Sequence, residues 1–386
     1  MIEISSFKDQ FRDLYNKEPL VYFAPGRVNI IGEHTDYNGG LVLPCAISFG
    51  TYLAISPNND NIIRFRTTNF SYFTEVGMDE LSRKHGDEWV NYPLGVIDQF
   101  IKKGIKITQG YDILFSGDIP NGAGLSSSAS IELVIAVALN DLLKSNLARI
   151  ELIKMSQLAE HEFVGTKCGI MDQFAVGMGQ ANQAIFLNCR TLGYELVPLI
   201  LEDHTIVIMN TNKRRELADS KYNERVAECA SALEFLRKKK DMIDLSDITM
   251  SEFEQIGDII TDPVIYRRAR HVISENNRVN LAVSALKRRD LATLGQLMND
   301  SHESLRHDYQ VTGAELDTMV NSARKIKGVI GARMTGAGFG GCAIAIVESR
   351  YVEAVINKVG HSYETEIQLK PIFYVATVGD GAGIVQ

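Results

Sequence analysis

The stretch from Gly26 to Gly40, Gly-Arg-Val-Asn-Ile-Ile-Gly-Glu-His-Thr-Asp-Tyr-Asn-Gly-Gly, concentrates more chemistry than any other part of the chain. Glu33, His34 and Asp36 put two carboxylates and an imidazole close together, a set rich in acceptors with one ring nitrogen as donor. Such a set suits a ligand covered in hydroxyl donors, a polyol, and does not suit a phosphate. Arg27, beside the Pro25-Gly26 bend, brings a fixed cation to this otherwise negative cluster, as a phosphoryl-transfer site requires. The competing reading is a polar turn whose Asp and Asn side chains satisfy nearby backbone groups.

A second stretch, Pro120-Asn121-Gly122-Ala123-Gly124-Leu125-Ser126-Ser127-Ser128-Ala129-Ser130, leads a glycine-rich turn into three serines and a helix start. Backbone N–H groups, hydroxyls and the positive end of a helix then converge, which makes an anion cradle. A serine-capped helix is the plainer reading, but glycines on both sides of Ala123 point to close backbone approach or positive φ. No Gly-x-x-x-x-Gly-Lys-Ser/Thr occurs, so this is not a Walker loop.

Two acids stand out further on. Glu160 lies near the end of a helical pattern from Ile150 to Val164, where the helix dipole disfavours it, so it is either solvent-exposed or engaged, for example by a metal. Asp172 sits among apolar neighbours in Cys168-Gly169-Ile170-Met171-Asp172-Gln173-Phe174, and a carboxylate so placed is paired, capping a helix, or catalytic. A third glycine motif runs from Met334 to Cys342. Gly336, Gly338 and Gly341 satisfy Gly-x-Gly-x-x-Gly formally, but a strand follows where the dinucleotide fingerprint needs a helix. A loop over phosphates or substrate remains open.

The elements that must position these residues read as follows. Val21 to Ala24 is a short strand, and Val28, Ile30 and Ile31 mark a second beyond the Pro25-Gly26 turn, which places the polar cluster on a loop held by strands. Strands from Thr51 to Ile55 and Ile62 to Arg66 flank the turn residues Pro57 to Asp60, and Tyr111 to Phe115 is another. Trp89 to Lys103 and the almost wholly apolar Ile131 to Leu143 read as helices. Ala184 to Leu187 and Tyr194 to Pro198 form a hairpin, and Thr205 to Met209 is one more buried strand. Helices dominate from about Leu217 to Ile326, with a polar excursion from Asp241 that Pro263 ends. Ala343 to Val347, a helix from Tyr351 to Glu366 and a closing strand from Pro371 complete the chain. The change of character divides it into residues 1–200 and 201–386.

Composition removes other classes. A net charge of -8 and the lack of a long run of like charge argue against a nucleic-acid or anionic-membrane surface. The amino terminus has no apolar signal core and no stretch of about eighteen apolar residues occurs, so a soluble cytoplasmic protein is expected. Five scattered cysteines suggest neither a disulfide framework nor a zinc site. His302-Glu303 with His307 resembles the zinc-protease helix motif, but the second histidine comes one residue late and leaves the shared face.

With these residues in place, the sequence resembles the galactokinase family, of the superfamily that also holds homoserine, mevalonate and phosphomevalonate kinases. The likeness runs through nearly the whole chain and rests on the three glycine-bearing stretches, the first specific to galactokinases and their closest relatives. It implies a two-domain α+β fold with mixed sheets and the active site in the interdomain cleft. It also implies MgATP-dependent phosphorylation of galactose at its anomeric hydroxyl, with galactose and ATP as small-molecule partners; protein partners are not legible. By resemblance, Glu33, His34, Thr35 and Asp36 hold sugar hydroxyls together with Gly169, Asp172 and Tyr222. Asp172 is the catalytic aspartate and Arg27 the arginine that stabilises developing charge. Gly122, Ala123, Gly124, Leu125, Ser126, Ser127 and Ser128 match the nucleotide loop, and Ser128 and Glu160 the Mg²⁺ ligands. Thr67 stands where many relatives have a serine touching the nucleotide. A kinase for N-acetylgalactosamine or arabinose uses nearly the same motifs, and a sugar sensor binding ATP and galactose without turnover is the other alternative. Intact Ser127, Ser128, Ala129, Asp172 and Arg27 argue against the sensor.

Overall fold

A computed structural model describes residues 2–83, 88–120, 124–213 and 218–385. The chain opens with α1 (Ile4–Tyr15), whose Phe7 and Phe11, one turn apart, are buried against Val21, Tyr52 and Leu114. Then come β1 (Leu20–Asn29), β2 (Leu41–Val42), β3 (Pro44–Asn58), β4 (Ile62–Thr67) and β5 (Phe73–Gly77). After them run α2 (Asn91–Lys102), β6 (Gly110–Gly117), α3 (Ser127–Leu142), α4 (Arg149–Leu158), α5 (Met171–Met178), β7 (Gln183–Asn188) and β8 (Tyr194–Pro198). The remainder is β9 (His204–Asn210), α6 (Ala218–Arg237), α7 (Met250–Ile256), α8 (Pro263–Lys287), α9 (Leu291–Ser304), α10 (Gly313–Arg324), β10 (Val329–Thr335), β11 (Cys342–Glu348), α11 (Val352–Ile367), β12 (Ile372–Ala376) and β13 (Gly383–Ile384).

Three sheets result: a mixed six-stranded one ordered β13-β1-β3-β6-β4-β5, a four-stranded one ordered β10-β11-β9-β12, and a small one ordered β2-β7-β8. The first is covered by α2, α3, α4 and α5 through one apolar cluster, and the second packs on the later helices through another. A third cluster joins Val28, Ile30, Ile31 and Leu43 to Ile206, Ile208, Val279 and Ile344, so the seam between the two halves is itself a core. The chain's end serves both halves, because β12 pairs with β9 while β13 returns to β1.

Two sequence expectations need correction, the strand break at Pro25-Gly26 and the helix end at Val164. The Pro25-Gly26 bend does not separate two strands: β1 runs through it, and its register against β3 slips between Pro25 and Arg27 as a bulge, the device that admits a proline lacking its N–H. β3 and β4 flank their turn as read from the sequence, and in the sheet β6 lies between them, antiparallel to β3 and parallel to β4. The helix expected from Ile150 to Val164 is α4 followed by a π-helical turn, Ala159–Val164. No helix among the described residues is long and apolar enough to cross a membrane.

Candidate active site

Glu33, His34, Asp36, Arg27, Gly124, Ser126, Ser127, Ser128, Glu160, Gly169, Asp172, Tyr222, Gly336 and Ala337 all line one cleft of about 430 Å³, within the range of small-molecule sites. The bulge in β1 turns Arg27 into it. Gly26 has to be glycine there, because a Cβ would stand 2.8 Å from the carbonyl oxygen of Leu125, and the Arg27 N–H donates to that same oxygen at 3.2 Å. The Arg27 guanidinium is nearly buried and grips Asp172 with two parallel bonds, Nε to Oδ1 and Nη2 to Oδ2, both 2.9 Å, while Nη1 donates to the Gly124 carbonyl. Such fork geometry fixes a carboxylate's direction as well as its charge. Asp172 lies in the first turn of α5, paired with Arg27 and lining the cleft.

Ser126 differs from the expectation that it serves the nucleotide. It precedes α3 in a left-handed conformation (φ 63°), makes no side-chain cap, and donates instead to Asp172 Oδ2 at 2.6 Å. Gly124 (φ 71°), Leu125, Ser127 and Ser128 lie around it, whereas Gly122 and Ala123 fall outside the described residues. Thr67, at the end of β4, lines a separate surface depression and its hydroxyl lies 3.3 Å from Asn69, so the structure does not bring it to the cleft with the others.

In the polar loop, Glu33 Oε1 collects three donors: Gly336 N–H at 2.9 Å, the Thr335 hydroxyl at 3.0 Å and Arg333 Nη1 at 3.3 Å. His34 adopts a left-handed φ of 63°, an uncommon conformation for a residue with a side chain. Its Nε2 faces the Ala337 carbonyl at 3.2 Å, which only accepts, so Nε2 carries the proton. Nδ1 therefore accepts from the Tyr37 hydroxyl at 2.8 Å, and the Tyr37 oxygen in turn accepts a hydrogen bond from the Tyr309 hydroxyl at 2.7 Å. Burial, then the charge of neighbouring cations, lowers the His34 imidazole to about 3, consistent with this neutral tautomer. Both ring nitrogens are thus spent on protein, and His34 shapes the site without the donor anticipated for a sugar. Thr35 is also turned inward: it is fully buried, with its hydroxyl 2.9 and 2.7 Å from the carbonyls of Gly32 and Leu41. Unlike Glu33, His34 and Asp36, it is not brought to the lining of the cleft, and its hydroxyl closes the loop.

Asp36 faces Asp172 across the cleft. Burial, followed by the charges of Asp172 and Glu33, pushes its carboxyl up to about 7. Gly169 makes room for it, since a Cβ there would fall 1.8 Å from Asp36 Oδ2. Tyr222, on α6, brings the second half of the chain to the site, its ring 5.8 Å from that of His34 and 5.3 Å from that of Tyr37.

Glu160 is the second residue of the π-helical turn, a distortion often found at functional sites. It is buried, accepts from Gln173 Nε2 at 2.7 Å, and lies 3.4 Å from the Cys168 thiol. Burial and the charge of Asp172 raise its carboxyl to about 7, while hydrogen-bond donors including the Ser128 hydroxyl pull it down. An acid so short of cations fits a hard divalent ion, and a hydroxyl plus a carboxylate suits Mg²⁺, which keeps water and phosphates as its other ligands. His302, by contrast, is buried against Asp317 while His307 is exposed, so that pair does not share a face.

Sequence reasoning missed several residues at this site. Arg333, Glu275 and His271 support the loop from behind, and Tyr92, Thr166 and Lys167 line the cleft. Glu132, deep in α3, shares Gln173 with Glu160, and burial pushes its carboxyl far above the ordinary range. A buried acid inside an apolar helix was the one signal available in the sequence for Glu132.

Comparisons with known proteins meet this geometry. Residues 9–57 match the galactokinase galactose-binding signature, 91–180 the N-terminal domain of GHMP kinases and 282–365 their C-terminal domain. The chain is 50% identical over 382 residues to a galactokinase of Clostridium acetobutylicum, covering 98% of each chain. It is 53% identical over 367 residues to one of Exiguobacterium sibiricum, covering 95% of this chain and 94% of that one. Among solved structures, the Lactococcus lactis galactokinase complexed with galactose superposes with a TM-score of 0.95 at 44% identity, covering 99% of this chain and all (100%) of that one. The Methanococcus jannaschii mevalonate kinase, at 19% identity and a TM-score of 0.71 over 94% of this chain and 99% of its own, shares the fold.

Proposed function

Because the chain belongs to the galactokinase family, we propose that this cleft transfers the γ-phosphoryl group of ATP to the anomeric hydroxyl of galactose, giving galactose 1-phosphate and ADP. The observation that carries this reading is Asp172, clamped by Arg27 and Ser126 in a cleft whose other carboxylates are Glu33, Asp36 and Glu160.

Asp172 accepts the proton of the anomeric hydroxyl as its oxygen bonds to the γ-phosphorus and the bond to the β-phosphate oxygen breaks. Three donors fix the direction of this carboxylate, so it orients the hydroxyl as well as taking its proton. Arg27 compensates the negative charge that gathers between Asp172 and the phosphoryl group. Backbone N–H groups at the start of α3, with the Ser127 and Ser128 hydroxyls, receive the phosphates. Ser128 and Glu160 would hold Mg²⁺, which, when bound, neutralises phosphate charge and helps align the γ-phosphoryl group. Glu33 and Asp36 take hydroxyls of the sugar, and Tyr222 closes that end of the site. The nucleotide makes the cytoplasm the place of this reaction.

The test is ADP release with MgATP and a panel of galactose, 2-deoxygalactose, N-acetylgalactosamine, arabinose, glucose, homoserine and mevalonate. Turnover that depends on galactose, with little from glucose, is expected, because a sugar that leaves buried polar groups unpaired can be rejected by about 10⁴. Asp172→Asn should lower kcat by about 10²–10⁴. Full turnover in that variant would remove Asp172 from the proton path.

A further inference from the structure

Among the described residues Arg333 is the largest side chain that the fold hides completely, and it stands directly behind the sugar loop. Its Nη1 lies 3.3 Å from Glu33 Oε1 and donates to the Asn29 and Ile30 carbonyls at 3.1 and 3.3 Å, while Nη2 is 3.7 Å from Glu275 Oε1. Glu275, on α8, is also fully buried, and the same Oε1 accepts the N–H groups of Gly32 and Glu33 at 2.9 and 3.3 Å and the Ser301 hydroxyl at 2.6 Å. His271, one turn earlier on α8, contacts the Glu33 carbonyl through Nε2 at 3.1 Å. The loop's backbone and its first carboxylate are therefore both held by groups from the second half of the chain.

Stability alone is a poor account of this arrangement. A buried ion pair is weak as a source of stability, since apolar residues of similar volume often serve as well. Arg333 Nε and Nη2 find no hydrogen-bond partner among the described residues, so the guanidinium is not arranged for its own satisfaction. What the arrangement does achieve is directional. Among the described residues, the donors to the Glu33 carboxylate converge on Oε1, which leaves Oε2 for the cleft that Glu33 lines.

We propose that Arg333 and Glu275 are positioning residues for sugar recognition, holding the Gly32 and Glu33 backbone and pinning Glu33 Oε1 so that Oε2 meets one sugar hydroxyl in a single orientation. The inference rests on the sugar-binding role given to Glu33 above and extends it to residues that touch no substrate. It makes sugar selectivity a property of both halves, because the carboxylate sits on one and the groups that aim it on the other.

Steady-state kinetics of the full chain with galactose and its monodeoxy analogues test this. Glu33→Gln identifies the hydroxyl that Glu33 meets, as the one whose removal costs the wild type kcat/KM but no longer costs the variant. Arg333→Met and Glu275→Leu should raise the KM for galactose by about 10- to 100-fold while leaving the KM for MgATP within about twofold. They should also shrink the penalty for that same deoxy-sugar, a readout that a merely structural role would not move. Arg333→Lys and Glu275→Gln should recover part of both. If Arg333→Met does not fold, Thr335→Val, which deletes one hydroxyl from Oε1, carries the same expectation in weaker form. Variants that raise both KM values together, or that keep every deoxy-sugar penalty at its wild-type size, overturn the proposal. A Glu33→Gln enzyme with unchanged penalties overturns the reading of Glu33 itself and the proposal with it.

Discussion

Asp36 is the residue at which substrate binding and protein stability pull against each other. Its carboxyl is pushed up to about 7 by burial and by the charges of Asp172 and Glu33, so around neutrality the free protein holds it partly protonated. A sugar hydroxyl donates best to the ionised form, and binding therefore releases a proton. The affinity for galactose should rise with pH, by up to about tenfold per unit below pH 7, and flatten above it. The stability of the free protein runs the other way. Because the folded-state value lies above the unfolded one, the stabilising contribution is complete below about pH 4 and is lost as pH rises through 7. Galactose titrations and urea melts between pH 5.5 and 8 separate the two effects, and Asp36→Asn should flatten both; a galactose affinity equally steep in that variant would place the titrating group elsewhere. The carboxylates were legible in the sequence because acids among glycines and apolar residues stand out. Arg333 was not: it lies on β10, a strand not read from the sequence, and its partners Glu33 and Glu275 lie far away in the chain. The commitments of Thr35, Ser126 and the His34 ring were equally hidden, since a hydroxyl's partner depends on packing that composition does not encode.

Among the elements, most strands and helices were readable from periodicity, whereas α1, β5, β10 and the irregular joints were not. Yet the joints place the chemistry. The bulge in β1 aims Arg27, and the π-helical turn after α4 carries Glu160. Both are departures from a regular ladder, and a pattern of apolar spacing averages over them. The β1 bulge is testable through Gly26. A Cβ there would sit 2.8 Å from the Leu125 carbonyl, and backbone is costly to move. Gly26→Ala should displace the loop that Arg27 and Gly124 share and lower kcat by at least about tenfold, the equivalent of one bond to a charged group. Comparing kcat with the KM for galactose checks the assignment, since damage confined to KM would mean that the bulge serves the sugar and not Asp172. A control for stability without catalysis is available on α8, where Asp262 caps the helix through the N–H groups of Val264 and Ile265 ahead of Pro263. Asp262→Ala should cost about 1 kcal/mol in urea unfolding and leave kcat unchanged.

At the scale of the whole molecule, the division near residue 200 suggested from composition describes a change in character more than a break in packing. The seam is an apolar core, with Val28, Ile30 and Ile31 from the first half against Ile206, Ile208 and Ile344 from the second, and β13 returns the chain's end to β1. Around the sugar loop the halves also meet through polar groups. Ser246 donates to the Gly39 carbonyl, and Arg190 pairs with Asp244 and Asp247. A seam this continuous couples the two halves energetically, because exposing one face of it exposes the other. Thermal unfolding should accordingly be a single transition in calorimetry, and galactose should move that transition as a unit. At a galactose concentration of 100 times its dissociation constant the added stability is about 2.7 kcal/mol. Two separated transitions, with galactose shifting only one, would mean that the sugar loop is held by its own half alone. That outcome would also weaken the case for Arg333 and Glu275, whose effect on Glu33 requires the second half to be folded against the first whenever sugar is bound.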